Sequence, residues 1–299
     1  MRTHHKFLLI LFVMISFVLS LSFAQREAPP LEIIKVKKNI YEVSGGSGAN
    51  TGFFIGENQV LVIDAKMSKE SAKQMIEKIK KLTPNPVMTV VLTHSDGDHV
   101  NGLSGFPQGI SIISHHNTRK HMDKAFEDQE LRKYLPNQTF HKELNLHLGT
   151  ETIKLLHFTP AHTNGDIVVF FPKQKVVFLG DLIFLNRDPL IHKHKNGNSF
   201  GLVKTLKGIL DLDAETFVHG HGGIAQRKDI LNMITSLEQK QEKIKTLIQN
   251  GKSLDEVKKE FGVPEGQSRW PSIVEIIYKE IKEIDSTALM LSAFHQIKL

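Results

Sequence analysis

A run of apolar, strand-forming residues, Val87-Met88-Thr89-Val90-Val91-Leu92, ends in Thr93-His94-Ser95-Asp96-Gly97-Asp98-His99. A strand with that ending delivers two imidazoles and two carboxylates to one point beyond its carboxyl end, where open α/β sheets build their sites. Imidazole and carboxylate together suit zinc, iron or manganese. The cluster therefore asks for a fold in which several strands end at a common edge and can bring further donors to the same point.

The flanking pattern supplies such strands. From Leu31 to Asp64 the chain reads as strands, with Ile33-Ile34, Ile40-Tyr41, Phe53-Phe54-Ile55 and Val60 to Ile63 punctuated by glycines. A helix follows, with Ala72, Met75, Ile76, Ile79 and Leu82 on one face and Ser68 as its N-cap. Pro84 and Pro86 end it before the strand at 87–92, and another strand is expected over 110–113. This βαβ alternation predicts an α/β fold with a parallel component. In the second half, strands are expected at 144–148, 152–158, 166–171, 175–179 and 215–219, with a helix over about 200–211. Beyond Arg227 the spacing is purely helical, with segments near 228–250, 253–261 and 271–284.

Three more segments fall just past expected strands: Pro160-Ala161-His162-Thr163-Asn164-Gly165-Asp166, Phe178-Leu179-Gly180-Asp181 and His219-Gly220-His221-Gly222-Gly223. Small residues beside each donor let the backbone approach a metal closely. These four segments, in this order, resemble those of metallo-β-lactamase-fold hydrolases, whose pattern is His-x-His-x-Asp-His, a lone His, an Asp after glycine and a Gly-His-Gly turn. The likeness covers about residues 31–225, and Gly48 to Gly56, Val62 to Lys66 and Gly251 to Val257 also resemble secreted bacterial members. It implies a four-layer αββα sandwich, here with extra C-terminal helices. By the same resemblance His94 and His162 would bind a first metal, Asp98, His99 and His221 a second, and Asp181 would bridge them. A water between two divalent cations, zinc above all with iron or manganese as alternatives, would then be the nucleophile. Asp98 and Asp181 would be the catalytic carboxylates, Asp98 also handling protons.

Asp96 departs from that pattern, standing where the family has its second histidine. A carboxylate still ligates zinc, but the charge changes. Four neutral histidines and three aspartates carry −3, against +3 for two divalent cations and a hydroxide. The sum is zero, where a histidine at 96 would leave +1. A weaker Lewis acid, a less acidic water or a harder metal is expected. If Asp96 turns away, one metal remains, on Asp98, His99 and His221.

Other residues rank behind this set. His219 reads as a strand-end residue or a donor to a ligand, and His115-His116 as caps of a following helix. His157 alternates into a strand, and His192 and His194 lie in a polar loop after Asp181, where they read as surface residues or, by the resemblance, as substrate contacts. Asp64 resembles a family residue that orients the metal loop from behind. Phe53 and Phe54 read as core, and Trp270 as a packing anchor between helices.

Residues 1–24 have a different character: Arg2 and Lys6 precede an uncharged run from Phe7 to Phe23, and Ser22-Phe23-Ala24 fits a cleavage signal. That reads as a signal peptide cut after Ala24, predicting a periplasmic or secreted protein without membrane attachment after cleavage. Residues 25–225 would form the catalytic domain and 226–299 a helical extension packed on it. There is no cysteine, so stability must come from the core and a metal. Removing the leader leaves 36 Lys and Arg against 32 Asp and Glu. The positive charge lies on solvated helices without interleaved aromatics, which excludes a nucleic-acid track. The expected partner is a small-molecule substrate, and the apolar helical faces leave a homo-oligomer open. Three functions follow: an exported hydrolase acting on an acyl (lactam, ester or thioester) or phosphoryl centre; a mononuclear-iron enzyme like the family's persulfide dioxygenases; or a non-catalytic binding module.

Overall fold

The computed structural model describes residues 28–266 and 269–297, with side chains described up to residue 287. The expected signal peptide over 1–24 lies outside these residues. Two sheets carry the fold. The first holds β1 (Glu32–Lys37), β2 (Ile40–Ser44), β3 (Thr51–Ile55), β4 (Val60–Ile63), β5 (Val87–Val91), β6 (Ser111–His115) and β7 (Gln138–Phe140), hydrogen-bonded in that order. Its first four strands run antiparallel and the pairs from β4 to β7 are parallel. The second holds β8 (Glu143–Leu148), β9 (Glu151–Leu156), β10 (Val168–Phe171), β11 (Val176–Phe178) and β12 (Thr216–Val218). It is an antiparallel meander closed by a parallel β11–β12 pair.

The helices are α1 (Lys69–Lys80), α2 (Gly97–Val100), α3 (His116–Ala125), α4 (Gln129–Arg132), α5 (Ser199–Leu210), α6 (Arg227–Gln249), α7 (Leu254–Glu260) and α8 (Ile273–Ile297). Ser68 caps α1 by accepting from the Ser71 amide, and His115 caps α3 by accepting from the Asn117 amide, both as their side chains lead one to expect.

Three apolar layers show how these elements stack. Along β4, Val60 and Val62 face outward into a cluster with Met75, Ile76 and Ile79 of α1. Leu61 and Ile63 face inward, meeting Ile153, Val169, Phe171 and Phe178 of the other sheet. On the far side, Val168, Phe170 and Val177 pack with Leu202 and Leu206 of α5, Ile230 and Leu237 of α6, and Ile273 and Ile277 of α8. The arrangement is helix, sheet, sheet, helix, an αββα sandwich whose second outer layer includes the C-terminal helices. Phe53 and Phe54 are core residues, as expected.

Most boundaries fall within two residues of expectation, and three of the differences are instructive. The strand expected over 152–158 stops at Leu156, because His157 turns its Nδ1 to the carbonyl of Asp166 (2.8 Å) and its ring onto His115 (4.2 Å between centroids). The strand expected over 110–113 starts one residue later and runs to His115. The last helix continues past 284 to Ile297, since Ser286 and Thr287 donate back to the Lys282 and Glu283 carbonyls instead of breaking it. Among the described residues no helix is long and apolar enough to cross a membrane.

Candidate metal centre

All seven sequence-derived donors gather at one edge of the sandwich, on turns just after strands, in the short helix α2 for Asp98 and His99, and in the loop joining β9 to β10 for His162. After β5 the chain passes Thr93 and turns into α2, with Asp96 as the N-terminal flanking residue. Asp96 makes no capping bond, so its carboxylate is free to point into the cluster. Asp64, just after β4 and in the left-handed region (φ +63°), braces this turn from behind. Its Oδ1 accepts from the Thr93 amide, and its Oδ2 accepts from Thr93 Oγ1 and pairs with His99 Nδ1, each at 2.8 Å.

Each buried imidazole of the first loop region is thereby aimed. His94 Nδ1 lies 3.0 Å from Thr93 Oγ1, and His162 Nδ1 donates to the Leu190 carbonyl at 2.7 Å. Asp166 folds the His162 loop by accepting from the Thr163 amide (2.8 Å) and hydroxyl (2.6 Å). Burial pushes the Asp166 carboxyl up to about 6. The β12 turn is held against the β11 turn by the Gly220 amide on the Gly180 carbonyl (2.9 Å). A Cβ at Gly220 would lie 2.2 Å from Asp181 Oδ1, so only glycine allows this approach. Asn50 ties the same turn to β2, donating to the Gly222 carbonyl and to Glu42. Under it, fully buried Lys66 donates to the carbonyls of Val43, Gly45 and Ala49.

Two sets of side chains that could hold a cation share Asp181: His94, His162 and Asp181, and Asp98, His99, Asp181 and His221. Asp181 Oδ1 is 3.1 Å from His99 Nε2, and its Oδ2 is 3.2 Å from His221 Nε2, which is also 3.1 Å from Asp98 Oδ2. The ring of His221 stacks on Phe184. The buried atoms His94 Nε2, His99 Nε2 and Asp181 Oδ1 have no hydrogen-bond partner. Buried polar atoms are normally satisfied; a bare carboxylate oxygen and two bare imidazole nitrogens, on rings whose other nitrogens are bonded, are what a divalent cation requires. The residues fit that group.

Charge in the cluster is sorted between acids and bases. Burial lowers His94 well below the ordinary histidine value, with His99 adding to the effect. Burial also works against a proton on His99, but Asp181 and Asp64 outweigh it and raise the group well above the ordinary value. At His162, Asp96 overcomes burial and lifts the imidazole to about 9. Hydrogen bonds to Asp181 and Asp98 bring His221 to about 9. Burial alone would raise Asp181, Asp98 and Asp96; neighbouring histidines hold all three below the ordinary carboxylate value.

The structure corrects one reading and adds a residue. His192, expected at the surface, is buried, with Nε2 at 2.8 Å from Asp96 Oδ2. Lys195, not singled out in the sequence, places Nζ 2.7 Å from Asp96 Oδ1. Ile191, an apolar residue ahead of a polar loop, was the only local sign that this segment folds inward. His194 is exposed, as expected, and stacks on Trp270 (6.0 Å between centroids), whose ring also meets His192 at 4.7 Å. His219 is buried at the end of β12, with Nδ1 3.4 Å from the His221 amide.

A sequence profile of the metallo-beta-lactamase superfamily matches residues 44–221. A metallo-beta-lactamase type 2 from Elizabethkingia meningoseptica is 27% identical over 166 residues, which cover 53% of this chain and 64% of that protein. A hydroxyacylglutathione hydrolase from Bartonella tribocorum is 29% identical over 135 residues, covering 44% of this chain and 48% of that one. The chain thus spans only about half to two thirds of these curated relatives. The solved sec-alkylsulfatase of Pseudomonas sp. superposes on 84% of this chain and 50% of its own, with a TM-score of 0.72 at 14% identity, a likeness of fold. The family profile covers more than half of the chain and includes every turn that builds the cluster, so the chain belongs to the metallo-beta-lactamase superfamily.

Proposed function

We propose that this chain is an exported hydrolase that works with two divalent cations, zinc by the chemistry of its donors, on a small molecule with an acyl centre (lactam, ester or thioester) or a phosphoryl centre. The observation that carries this reading is the sharing of Asp181 between two donor sets in which the buried His94 Nε2, His99 Nε2 and Asp181 Oδ1 are otherwise bare. His94, His162, Asp181 and Asp96 would hold one cation; Asp98, His99, His221 and Asp181 the other. Cations bound there supply a water ionised near neutral pH and polarise the bond under attack.

The protein's own part is positioning. Asp64 fixes the tautomer and direction of His99, and the Leu190 carbonyl does the same for His162. Asp98 is the most accessible of the carboxylates in the cluster, and its Oδ2 beside His221 is placed to receive a proton and pass it to a leaving group. Lactams and thioesters both enter through the relatives' names, one a beta-lactamase and one a hydroxyacylglutathione hydrolase. Export rests on the charged, apolar and small-residue pattern of residues 1–24.

The test is elemental analysis of the chain from Gln25 onward, purified without chelator, followed by assays on a chromogenic β-lactam, an aryl ester and a glutathione thioester. Two zinc per chain with chelator-sensitive hydrolysis supports the proposal; a folded, metal-free chain inert to all three refutes it in favour of a binding module. One observation favours a second reading. With Asp181, Asp96 makes the His94–His162 site a two-histidine, two-carboxylate set, a harder set of donors that also suits iron. One iron per chain with oxygen uptake on a persulfide would move that reading ahead.

A further inference from the structure

Asp96 stands where the family pattern has histidine, and its two oxygens face different company. Oδ1 accepts from Lys195 Nζ at 2.7 Å, and that ammonium also donates to the Ser95 carbonyl at 3.1 Å. Oδ2 looks toward three imidazoles: His192 Nε2 at 2.8 Å, His162 Nε2 at 3.2 Å and His94 Nε2 at 3.8 Å. His192 could in principle be a further cation ligand, since Asp96, His162 and His192 lie close enough to share one.

The far nitrogens of the rings decide between the roles. A ligating imidazole donates its other N–H to an oxygen acceptor. His94, His99 and His162 each have an oxygen within bonding distance of Nδ1, on Thr93, Asp64 and Leu190. His192 Nδ1 is buried with no partner. Ligation through its Nε2 would put the proton on Nδ1, where no oxygen accepts it. The other tautomer carries its hydrogen on Nε2 and donates it to Asp96 at 2.8 Å.

We infer that His192 and Lys195 are positioning residues that make Asp96 do the work of the missing histidine: they hold its carboxylate so that one lone pair of Oδ2 faces the His94–His162 site. A carboxylate has about four acceptor directions; Lys195 occupies Oδ1 and His192 takes one side of Oδ2, leaving the side toward His94 and His162. Lys195 also revises the charge sum expected from sequence. Its ammonium returns the total from zero to +1, the value a neutral histidine at 96 would give. The pair Asp96–Lys195 is thus electrically equivalent to the residue it replaces.

Residues beyond the stretch matched by the family profile hold this device in place. Glu280 of α8 is buried and accepts from the Ser199 amide (3.0 Å) and hydroxyl and from Lys193 Nζ (3.3 Å). That pins both ends of the turn that carries Lys195. The turn is pressed against the His162 loop: His192 N–H donates to the His162 carbonyl (2.8 Å), and Asn164 N–H to the Lys195 carbonyl (3.0 Å). A Cβ at Gly197 would lie 2.3 Å from the His162 carbonyl oxygen.

The inference rests on a cation occupying the His94–His162 site, as proposed above. The experiment is competition for zinc against a chromogenic chelator, using the full chain after leader removal, in wild type, Lys195→Met, Asp96→His and the double variant. Lys195→Met is expected to weaken one of the two zinc affinities by about ten- to a hundredfold, the range for loss of a residue that orients a ligand, while Lys195→Arg stays within about threefold of wild type. In the Asp96→His background the same Lys195→Met change is expected to leave affinity unchanged or improve it, because no carboxylate remains to be held. Lys195→Gln reads the same quantity should the methionine variant fail to fold. Equal losses in both backgrounds, or no loss in wild type, overturn the inference. A wild type that takes two zinc ions with Lys195→Met indistinguishable from it overturns this inference alone; a wild type that takes none overturns the metallohydrolase reading with it.

Discussion

Loading the metal-free chain with zinc should expel a definite number of protons, and the structure says how many and from where. The three carboxylates are held below their ordinary range and are ionised throughout the neutral region. His94 is held low by its burial and carries no extra proton. His162 and His221 lie at about 9, and His99 is raised well above the ordinary value by Asp181 and Asp64 in spite of its burial. At pH 7 the empty cluster therefore carries three imidazolium protons among its carboxylates. A cation entering the His94–His162 side alone must displace one of them, and a cation entering the Asp98–His99–His221 side must displace two. Each displaced proton makes apparent affinity rise about tenfold per pH unit below the pKa concerned. Affinity should thus climb about tenfold per unit at the first site, flattening toward pH 9, and about a hundredfold per unit at the second around neutral pH.

The same groups set the stability of the empty protein. The folded pKa of His162 lies above the 6.5 of a free histidine. Its contribution is therefore complete below about pH 6.5 and is lost as pH rises through about 9. That shift corresponds to at most about 3 kcal/mol, and the lowered pKa of Asp96 reports the same interaction, not a second one. The gap in Tm between zinc-loaded and chelated protein should widen across this window. Titration calorimetry at pH 7 in buffers of different ionisation heat counts the protons directly. About three released from the imidazoliums on filling both sites, or about four once the bound water ionises, supports the reasoning, and fewer than one, with affinity flat between pH 6.5 and 9, refutes it.

Replacing Asp64 with Asn puts an amide N–H₂ against donors that now share a carboxylate, so zinc affinity should fall by about ten- to a hundredfold in a chelator competition. Gly220→Ala sets a methyl 2.2 Å from Asp181 Oδ1 and 2.8 Å from His99 Cε1; elemental analysis should show zinc lost while far-ultraviolet circular dichroism stays that of the folded chain. Glu280→Ala strips a buried acceptor from the Ser199 amide and hydroxyl and from Lys193, and urea denaturation should show a loss of about 1–3 kcal/mol. A loss under about 1 kcal/mol would mean that α8 does not hold the turn bearing Lys195.

How much of this centre was legible in the chain follows from what aims each residue. His94, Asp98, His99, Asp181 and His221 sit on turns that leave strands, and a strand run followed by a turn with small residues is a local pattern. Knowing that strands share an edge is then enough to predict that such turns meet. Asp64 was legible through the family resemblance, though its left-handed backbone was not, since Asp tolerates that region without signalling it. The sandwich layers followed from alternation, as at Val60 to Ile63, where successive side chains enter different cores. His192 and Lys195 had no such signal. They lie in a charged turn, Lys193-His194-Lys195, that reads as solvated, and they reach Asp96 across 96 and 99 residues of sequence. What brings them there is the packing of α8, through Glu280, against the start of α5. The substitution at position 96 was visible in the sequence, and its charge could be counted there, but the cation that balances it could not be assigned because only tertiary contact identifies it. A departure from a ligand pattern at one strand end is therefore best judged from the loop that faces it, since a carboxylate with an ammonium on its outer oxygen presents a cation with the same net charge as the neutral ring it replaces.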